Sequence, residues 1–195
     1  MKMTRSIALF SLVFCFAITT RTQAQVDVTA SPVALLFADV NLGADFKIKE
    51  NFSLGAIAGY GRGDLWGLVD SRETVPVNVV GKYYFSPKQG ADGFYVNGFG
   101  RLVNRSITAT YNGDNENIPD KVNFSRTQVG LGVGLGYKVV SKGGFVFDIG
   151  TGIGRALYSH DKINVSEQDY KIPELFRTMG YFRIGLGYRF GGNKE

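Results

Sequence analysis

Apolar and polar residues alternate with a period of two along most of the chain. Between Gln128 and Val139 the odd positions are mostly aliphatic, whereas the even positions are mostly glycine. Because successive side chains of a β-strand point to opposite faces, this segment predicts a strand with one continuous apolar face. The segment from Phe182 to Phe190 repeats the pattern, with arginine and glycine on its second face. The alternation therefore predicts an all-β protein.

Seven segments carry this alternation clearly: residues 41–48, 52–62, 75–85, 94–105, 124–140, 145–158 and 179–190. Bacterial single-chain membrane barrels normally have an even number of strands. We therefore assign an eighth strand to Val26–Phe37, in which Pro32 is tolerable near the start or at a bulge. The sequence thus predicts an eight-stranded antiparallel up-and-down transmembrane β-barrel.

The lengths of the connections agree with that topology. Apart from the tight first connection near Ala38–Val40, short connections alternate with long ones, as periplasmic turns alternate with extracellular loops in membrane barrels. The short connections are residues 49–51, 86–93 and 141–144, and the long ones are 63–74, 106–123 and 159–178.

The second face of the strands separates a membrane barrel from a soluble one. In a soluble sandwich or a lipocalin, the face that meets water should carry residues such as lysine, glutamate and threonine. Glycine weakens a solvated strand but suits a narrow interior in which charged side chains must fit. Aromatic residues near the strand ends are typical of interfacial girdles: Tyr60, Tyr83, Phe85, Tyr137, Phe145, Tyr188 and Phe190. A soluble lipocalin-like binding protein remains the alternative.

Charged residues on the glycine-rich faces are the first candidates for a site. They are Asp45, Lys47, Lys82, Arg101, Lys138, Asp148, Arg183 and Arg189. A charge inside a barrel is costly unless it is paired or hydrated, so we expect these residues to pair across strands. An eight-stranded barrel is only wide enough for side chains to fill it. We therefore expect a structural charge network that plugs the lumen, with a narrow pore as the lesser alternative.

The first 24 residues are typical of a secretory signal peptide. Lys2 and Arg5 precede an apolar run that is too short to span a bilayer, and Ala24 supplies the small residue at the cleavage site. Removing this segment takes away three basic residues and lowers the formal charge from +5 to +2, so nucleic acid is not an expected partner. It also removes Cys15, the only cysteine, which excludes disulfides and thiol chemistry. We expect residues 25–195 to form one barrel in the outer membrane of a Gram-negative bacterium.

No pattern in the sequence predicts a catalytic centre, a cofactor or a metal site. His160, the only histidine, has Ser159 and Asp161 beside it, which leaves an outer-membrane lipid hydrolase or protease as an alternative. Acidic residues between 112 and 120 could hold Ca²⁺, but they lack the spacing of a calcium-binding loop. Trp66 and its apolar neighbours form either a partner-binding patch or a loop that folds over the barrel mouth.

Several stretches resemble small eight-stranded outer-membrane barrels related to OmpX and OmpA, and a bacterial family of such proteins with no assigned activity. They are Pro32–Phe37, Leu42–Asp45, Lys82–Phe85, Gly93–Val96 and Arg183–Phe190. Asp45 and Phe46 depart from the glutamate and arginine usual in that family. The closing Tyr188-Arg189-Phe190 is similar to the signal read by the barrel-assembly machinery. The resemblance implies that machinery and outer-membrane lipids or lipopolysaccharide as partners, and it carries over no catalytic residues.

Overall fold

The chain closes into a barrel of eight antiparallel strands, each hydrogen-bonded to its neighbours in sequence order, with β1 paired to β8. The structure is a computed structural model, which describes residues 25–63, 71–110, 121–163 and 177–191. The strands are β1 Val26–Ala30, β2 Asp39–Lys49, β3 Phe52–Gly63, β4 Ser71–Tyr84, β5 Gly93–Thr110, β6 Lys121–Val140, β7 Phe145–Ile163 and β8 Thr178–Phe190. The predicted fold class is confirmed. No helix among the described residues is long and apolar enough to cross a membrane.

The first strand is shorter than the sequence predicts. The expected strand Val26–Phe37 ends at Ala30, and Pro32–Phe37 forms a 3-10 helix instead. Proline has no N–H to donate to the strand ladder, and its fixed φ favours the first turn of a helix. Ala38 then takes a left-handed conformation, with a φ of 54°, and leads the chain into β2.

The strands on the long-loop side extend further than predicted. β5 continues to Thr110, β6 begins at Lys121, and β7 continues to Ile163. Alternation is weaker in these extensions because both of their faces carry polar residues. At the long-loop end, β5, β6 and β7 are therefore longer than the sequence predicts.

Apolar side chains cover the outside of the barrel. We call this surface the apolar belt; on β6 it runs from Val129 to Val139, and on β5 from Phe94 to Leu102. These stretches are eleven and nine residues long, and they end at polar residues such as Asn104. Other large exposed members are Val28, Val40, Leu42, Phe46, Ile48, Leu54, Tyr60, Val75, Val77, Val79, Tyr83, Phe145, Ile153, Phe182, Leu186, Tyr188 and Phe190.

The opposite face of each strand fills the interior with little room to spare. A Cβ atom on Gly136 would collide with the phenol of Tyr95 and with the backbone of β7. Gly98, on the outward face of β5, has no neighbour within 4 Å of the same position. Glycine is therefore required inside, where side chains from facing strands meet, and is not required by contacts at this outer position.

Candidate functional site inside the barrel

The eight charged residues predicted to face inward do so, to different depths. Six of them are almost completely shielded from solvent: Asp45, Lys82, Lys138, Asp148, Arg183 and Arg189. Lys47 and Arg101 are only half-buried, nearer the two ends of the barrel. Asp27 on β1 is also buried, although the sequence analysis did not single it out. Together we call Asp27 and the six buried residues the lumen charge cluster.

Two lysines bridge three aspartates at the centre of this cluster. Lys82 Nζ donates to Asp45 Oδ2 at 2.8 Å and to Asp148 Oδ2 at 2.6 Å. Lys138 Nζ donates to Asp27 and to the same oxygen of Asp45, both at 2.9 Å. The positive and negative groups alternate along a chain that joins β7, β4, β2, β6 and β1. Each buried lysine therefore has two carboxylates to offset the cost of removing it from water.

Arginines on β8 anchor the two ends of this chain. Arg189 contacts Asp27 through two parallel hydrogen bonds of 2.6 and 2.9 Å, the bidentate geometry that makes such pairs strong. Arg183 lies 3.6 Å from Asp148 and also donates to the hydroxyl and carbonyl oxygens of Thr29. Both arginines thus connect β8 to β1, Arg189 through Asp27 and Arg183 through Thr29. Asp27 could have been found from the sequence, because it lies between Val26 and Val28 on the polar side of the first strand.

Two buried tyrosines pack against the lysines. The Tyr95 hydroxyl donates to Asp148 at 2.8 Å, and Lys82 Nζ lies 5.0 Å above the centre of its ring. Lys138 Nζ lies 5.6 Å from the centre of the Tyr84 ring, and the two tyrosine rings meet edge to face. A ring face adds electrostatic stabilisation to a desolvated ammonium group. Both the tyrosine rings and the aspartates therefore stabilise the buried lysines.

The connection between β4 and β5 closes the short-turn end. Arg189 Nη1 donates to the carbonyl oxygens of Gln89 and Gly90 at 2.7 and 2.6 Å, and Nη2 donates to that of Ala91 at 3.2 Å. The Ala91 amide donates to the carbonyl of Glu50 in the neighbouring turn, and Ala91 is only 2% exposed. This connection therefore folds against the bottom of the barrel. No sequence pattern indicated this arrangement, because a short polar connection is also typical of an open turn.

Apolar layers lie above the charged one. Phe99 and Tyr181 meet edge to face at 4.9 Å. They pack with Ile57 and Val80, and a second buried cluster contains Val103, Ala156 and Met179. A small cavity between the charged and aromatic layers has a volume of about 10 Å³, roughly the space of one water molecule. The interior that the structure describes is thus packed with side chains.

Arginines and aspartates reappear at the long-loop end, which we call the outer mouth. Arg72 binds Asp39 at 2.5 Å and the Phe37 carbonyl oxygen at 2.7 Å. Arg126 binds both carboxylate oxygens of Asp161, at 2.7 and 3.3 Å. The sequence pattern does not distinguish these pairs, because their residues lie in predicted loops or at predicted strand ends.

The residues that would form a hydrolytic triad do not come together. His160 lies within β7, not in a loop, and pairs with Thr127 of β6. Neighbouring residues on a strand point to opposite faces, so His160 faces away from Ser159 and Asp161. Asp161 is instead held by Arg126. The arrangement is unsuited to a Ser-His-Asp relay, in which each group must contact the next.

The other candidate sites in the sequence are a metal site and an apolar patch. Among residues 25–63, 71–110, 121–163 and 177–191, no three or more histidine, cysteine or acidic side chains come together as a metal site. The acidic stretch at 112–120 and the patch around Trp66 lie outside the described residues. The lumen charge cluster itself has its ionic groups paired internally, which suits a structural role better than substrate binding.

Replacing Lys138 with methionine should destabilise the barrel by about 3 to 5 kcal/mol, because Asp27 and Asp45 would lose a cation that both bind. The free energy of unfolding in urea, followed by circular dichroism of the detergent-solubilised protein, measures the effect. Lys142→Met, in the exposed turn between β6 and β7, is the matched control and should change stability by no more than about 0.5 kcal/mol. Equal small effects of both substitutions would contradict a stabilising role for the cluster.

Comparison with solved structures shows the same fold in another protein. The chain is similar to a major outer membrane protein from Thermus thermophilus, with a TM-score of 0.54 and 15% sequence identity. The similarity covers 86% of this chain and 99% of the other. No curated protein matches the sequence.

Comparison with protein families matches almost the whole sequence. Residues 8–188 match the model of a family described as "Protein of unknown function (DUF3575)". That match includes β1 to β7, β8 as far as Tyr188, the lumen charge cluster except Arg189, and the arginines of the outer mouth. The chain therefore belongs to the DUF3575 family.

Proposed function

We propose that this protein is an integral outer-membrane β-barrel with a plugged interior, and that it acts as a structural or surface-interaction protein. In this proposal the signal peptide at residues 1–24 directs export from the cytoplasm of a Gram-negative bacterium. The observation that carries the proposal is the apolar belt on the outside of a closed barrel with a charged interior.

The height of the belt supports insertion into a bilayer. A tilted strand needs about 9 to 11 residues to cross the hydrocarbon core. The belt spans nine residues on β5 and eleven on β6, and polar residues follow it. Val133, near its middle, is 67% exposed, which would be costly in water over so large and continuous a surface.

The rings at the short-turn end support the same placement. Tyr188 and Phe190 contact each other at 5.1 Å, and Phe85 stacks on Phe94 at 5.7 Å. Aromatic side chains at this level are typical of the interface between headgroups and hydrocarbon. Tyr188 and Phe190 also lie on the outer face of the last strand, which supports the proposal that the barrel-assembly machinery recognises that strand.

The orientation of the faces argues against a soluble lipocalin-like binder. Such a protein would direct its apolar faces inward to hold a hydrophobic ligand. Here the long aliphatic row of β6, Leu131, Val133 and Leu135, lies outside, and Lys138 of the same strand lies inside. The small interior cavity also has no room for a ligand larger than water.

The packed interior supports a plugged lumen over a channel. Lys82 and Lys138 are tied to carboxylates of several strands, and Phe99 and Tyr181 form a layer above them. An ion would have to break these contacts in succession to pass. The outer surface and the strand ends are therefore the parts of the molecule available to partners such as lipopolysaccharide.

Val133→Lys should impair membrane insertion by about 2 to 4 kcal/mol, because the new charge would face the middle of the hydrocarbon core. Asn104→Lys, on the outer face of β5 just beyond the belt, is the matched control and should cost about 0 to 1 kcal/mol. Folding into phospholipid vesicles in a urea titration measures both values. Equal behaviour of the two variants, with release of the wild-type protein by alkaline carbonate, would rule out the membrane barrel.

Purified wild-type protein should give no conductance steps in planar bilayers, because the charged and aromatic layers close the lumen. Replacing Tyr95 and Phe99 together with alanine should produce measurable openings, since two of the largest interior side chains are removed. Reproducible steps from the wild-type protein, equal in size to those of the double variant, would instead indicate a channel.

A further inference from the structure

Among the residues that the structure describes, the inner wall of the outer mouth has more positive than negative groups. Four arginines point inward there: Arg72, Arg101, Arg105 and Arg126. Among the described residues, the carboxylates that face them are those of Asp39 and Asp161. Each of these carboxylates is already bound to one arginine. The mouth that the structure describes therefore carries a local excess of two positive charges.

Arg105 is at the centre of this excess. It is paired in register with Thr74 on one side and with Arg126 on the other. The guanidinium groups of Arg72 and Arg126 repel that of Arg105 while Asp39 attracts it, and Arg105 in turn repels Arg101. Like charges directly opposite each other destabilise a sheet. A bound anion would remove that cost.

Several hydrogen-bond donors around Arg105 have no acceptor among the described residues. Within the part of the chain that the structure describes, Arg105 makes no hydrogen bond or ion pair. The buried Nε atoms of Arg72 and Arg101 and the buried hydroxyl of Thr74 also have no hydrogen-bond partner there. Unsatisfied buried donors are rare in native proteins, and an oxyanion between these side chains would supply the acceptors that they lack.

The mouth has a floor but is open to solvent at Arg105. Val103, two residues below Arg105 on β5, is buried with Ala156 and Met179. Arg101 crosses the interior and donates to the carbonyl oxygen of Gly180 at 2.5 Å. Arg105 itself is exposed. A group that enters from the long-loop side would therefore reach the unpaired donors first. The buried side chains and Arg101 below them would stop it from going deeper.

We propose that Arg105, with Arg72, Arg101 and Thr74, forms a binding site for a phosphate group in the outer mouth. A phosphate monoester carries nearly two negative charges at neutral pH, which matches the local excess. The planar guanidinium donates two parallel hydrogen bonds to such an oxyanion, and the threonine hydroxyl adds a third donor. This inference does not depend on the membrane placement, because it concerns only the interior of the folded barrel.

Isothermal titration of the detergent-solubilised full-length protein with inorganic phosphate tests the site. Arg105→Gln should weaken phosphate binding by about tenfold or more, the effect of losing one charge-assisted hydrogen-bond donor. Arg105→Lys, which keeps the charge but loses the planar fork, should be intermediate. Arg62→Gln is the matched control, because Arg62 lies at nearly the same height on the outer face of β3 and its loss changes the net charge equally.

A second readout separates binding from folding. Phosphate should raise the urea concentration at which the wild-type barrel unfolds and should have little effect on Arg105→Gln. Without phosphate, Arg105→Gln should be at least as stable as the wild type, because like-charge repulsion is removed. Absence of phosphate binding by the wild type would overturn the proposal. That is the result expected if carboxylates of the chain's own loops fill the site. Equal weakening by Arg62→Gln would overturn it too, since the effect would then be general surface charge.

The source of the phosphate group is decided by competition. Saturating the protein with lipopolysaccharide should abolish inorganic phosphate binding if the site takes a lipid-borne phosphate, and dephosphorylated lipopolysaccharide should not. If neither competes while glucose 1-phosphate does, the site takes soluble phosphate compounds. Both results support a phosphate site and differ only in what delivers the group.

Discussion

Closure of the sheet is the constraint on which the rest of this structure depends. In hydrocarbon, an unpaired strand edge would leave N–H and C=O groups without partners, so a membrane sheet has to join its first strand to its last. Here β1 contributes only five residues to that seam. Side chains inside the barrel strengthen it, because Arg189 grips Asp27 and Arg183 binds Thr29 across the same junction. The 3-10 helix follows directly where β1 ends.

A closed barrel of eight strands has a narrow interior, and that width explains the unusual composition of the chain. Glycine faces inward where rings and long side chains from opposite strands need the space, as at Gly136 beside Tyr95. The charges inside can remain only as a mutually paired set, of which Asp45 is the centre because it accepts from both lysines. The glycine content of the inward faces and the pairing of the interior charges therefore both follow from closure of the barrel.

Sequence periodicity predicted seven of the strands and which face of each turns inward, because alternation is a local property, and the even strand number of membrane barrels supplied the eighth. It could not predict where β1 ends, since Pro32 is compatible with either a bulge or a helix start. It could not predict the closing of the bottom by residues around Ala91, which depends on contacts between distant strands. Asp27 was missed although its place between Val26 and Val28 is a local signal. Arg72, Arg105 and Arg126 of the outer mouth were not selected because they lie at or beyond the predicted strand ends, where both faces carry polar residues. Local patterns thus predicted the strands that form the barrel, whereas the contacts between side chains inside it depend on residues far apart in the sequence.

The most direct test of the membrane barrel is the mobility of the protein from an outer-membrane fraction on SDS gels, with and without boiling. A closed barrel resists SDS when cold, because its strand pairs must open together, and it should migrate differently after heating. We expect two distinct bands, with the cold form lost at a lower temperature in Lys138→Met. A single band at all temperatures, from protein found in the soluble periplasmic fraction, would contradict a closed barrel inserted in the membrane.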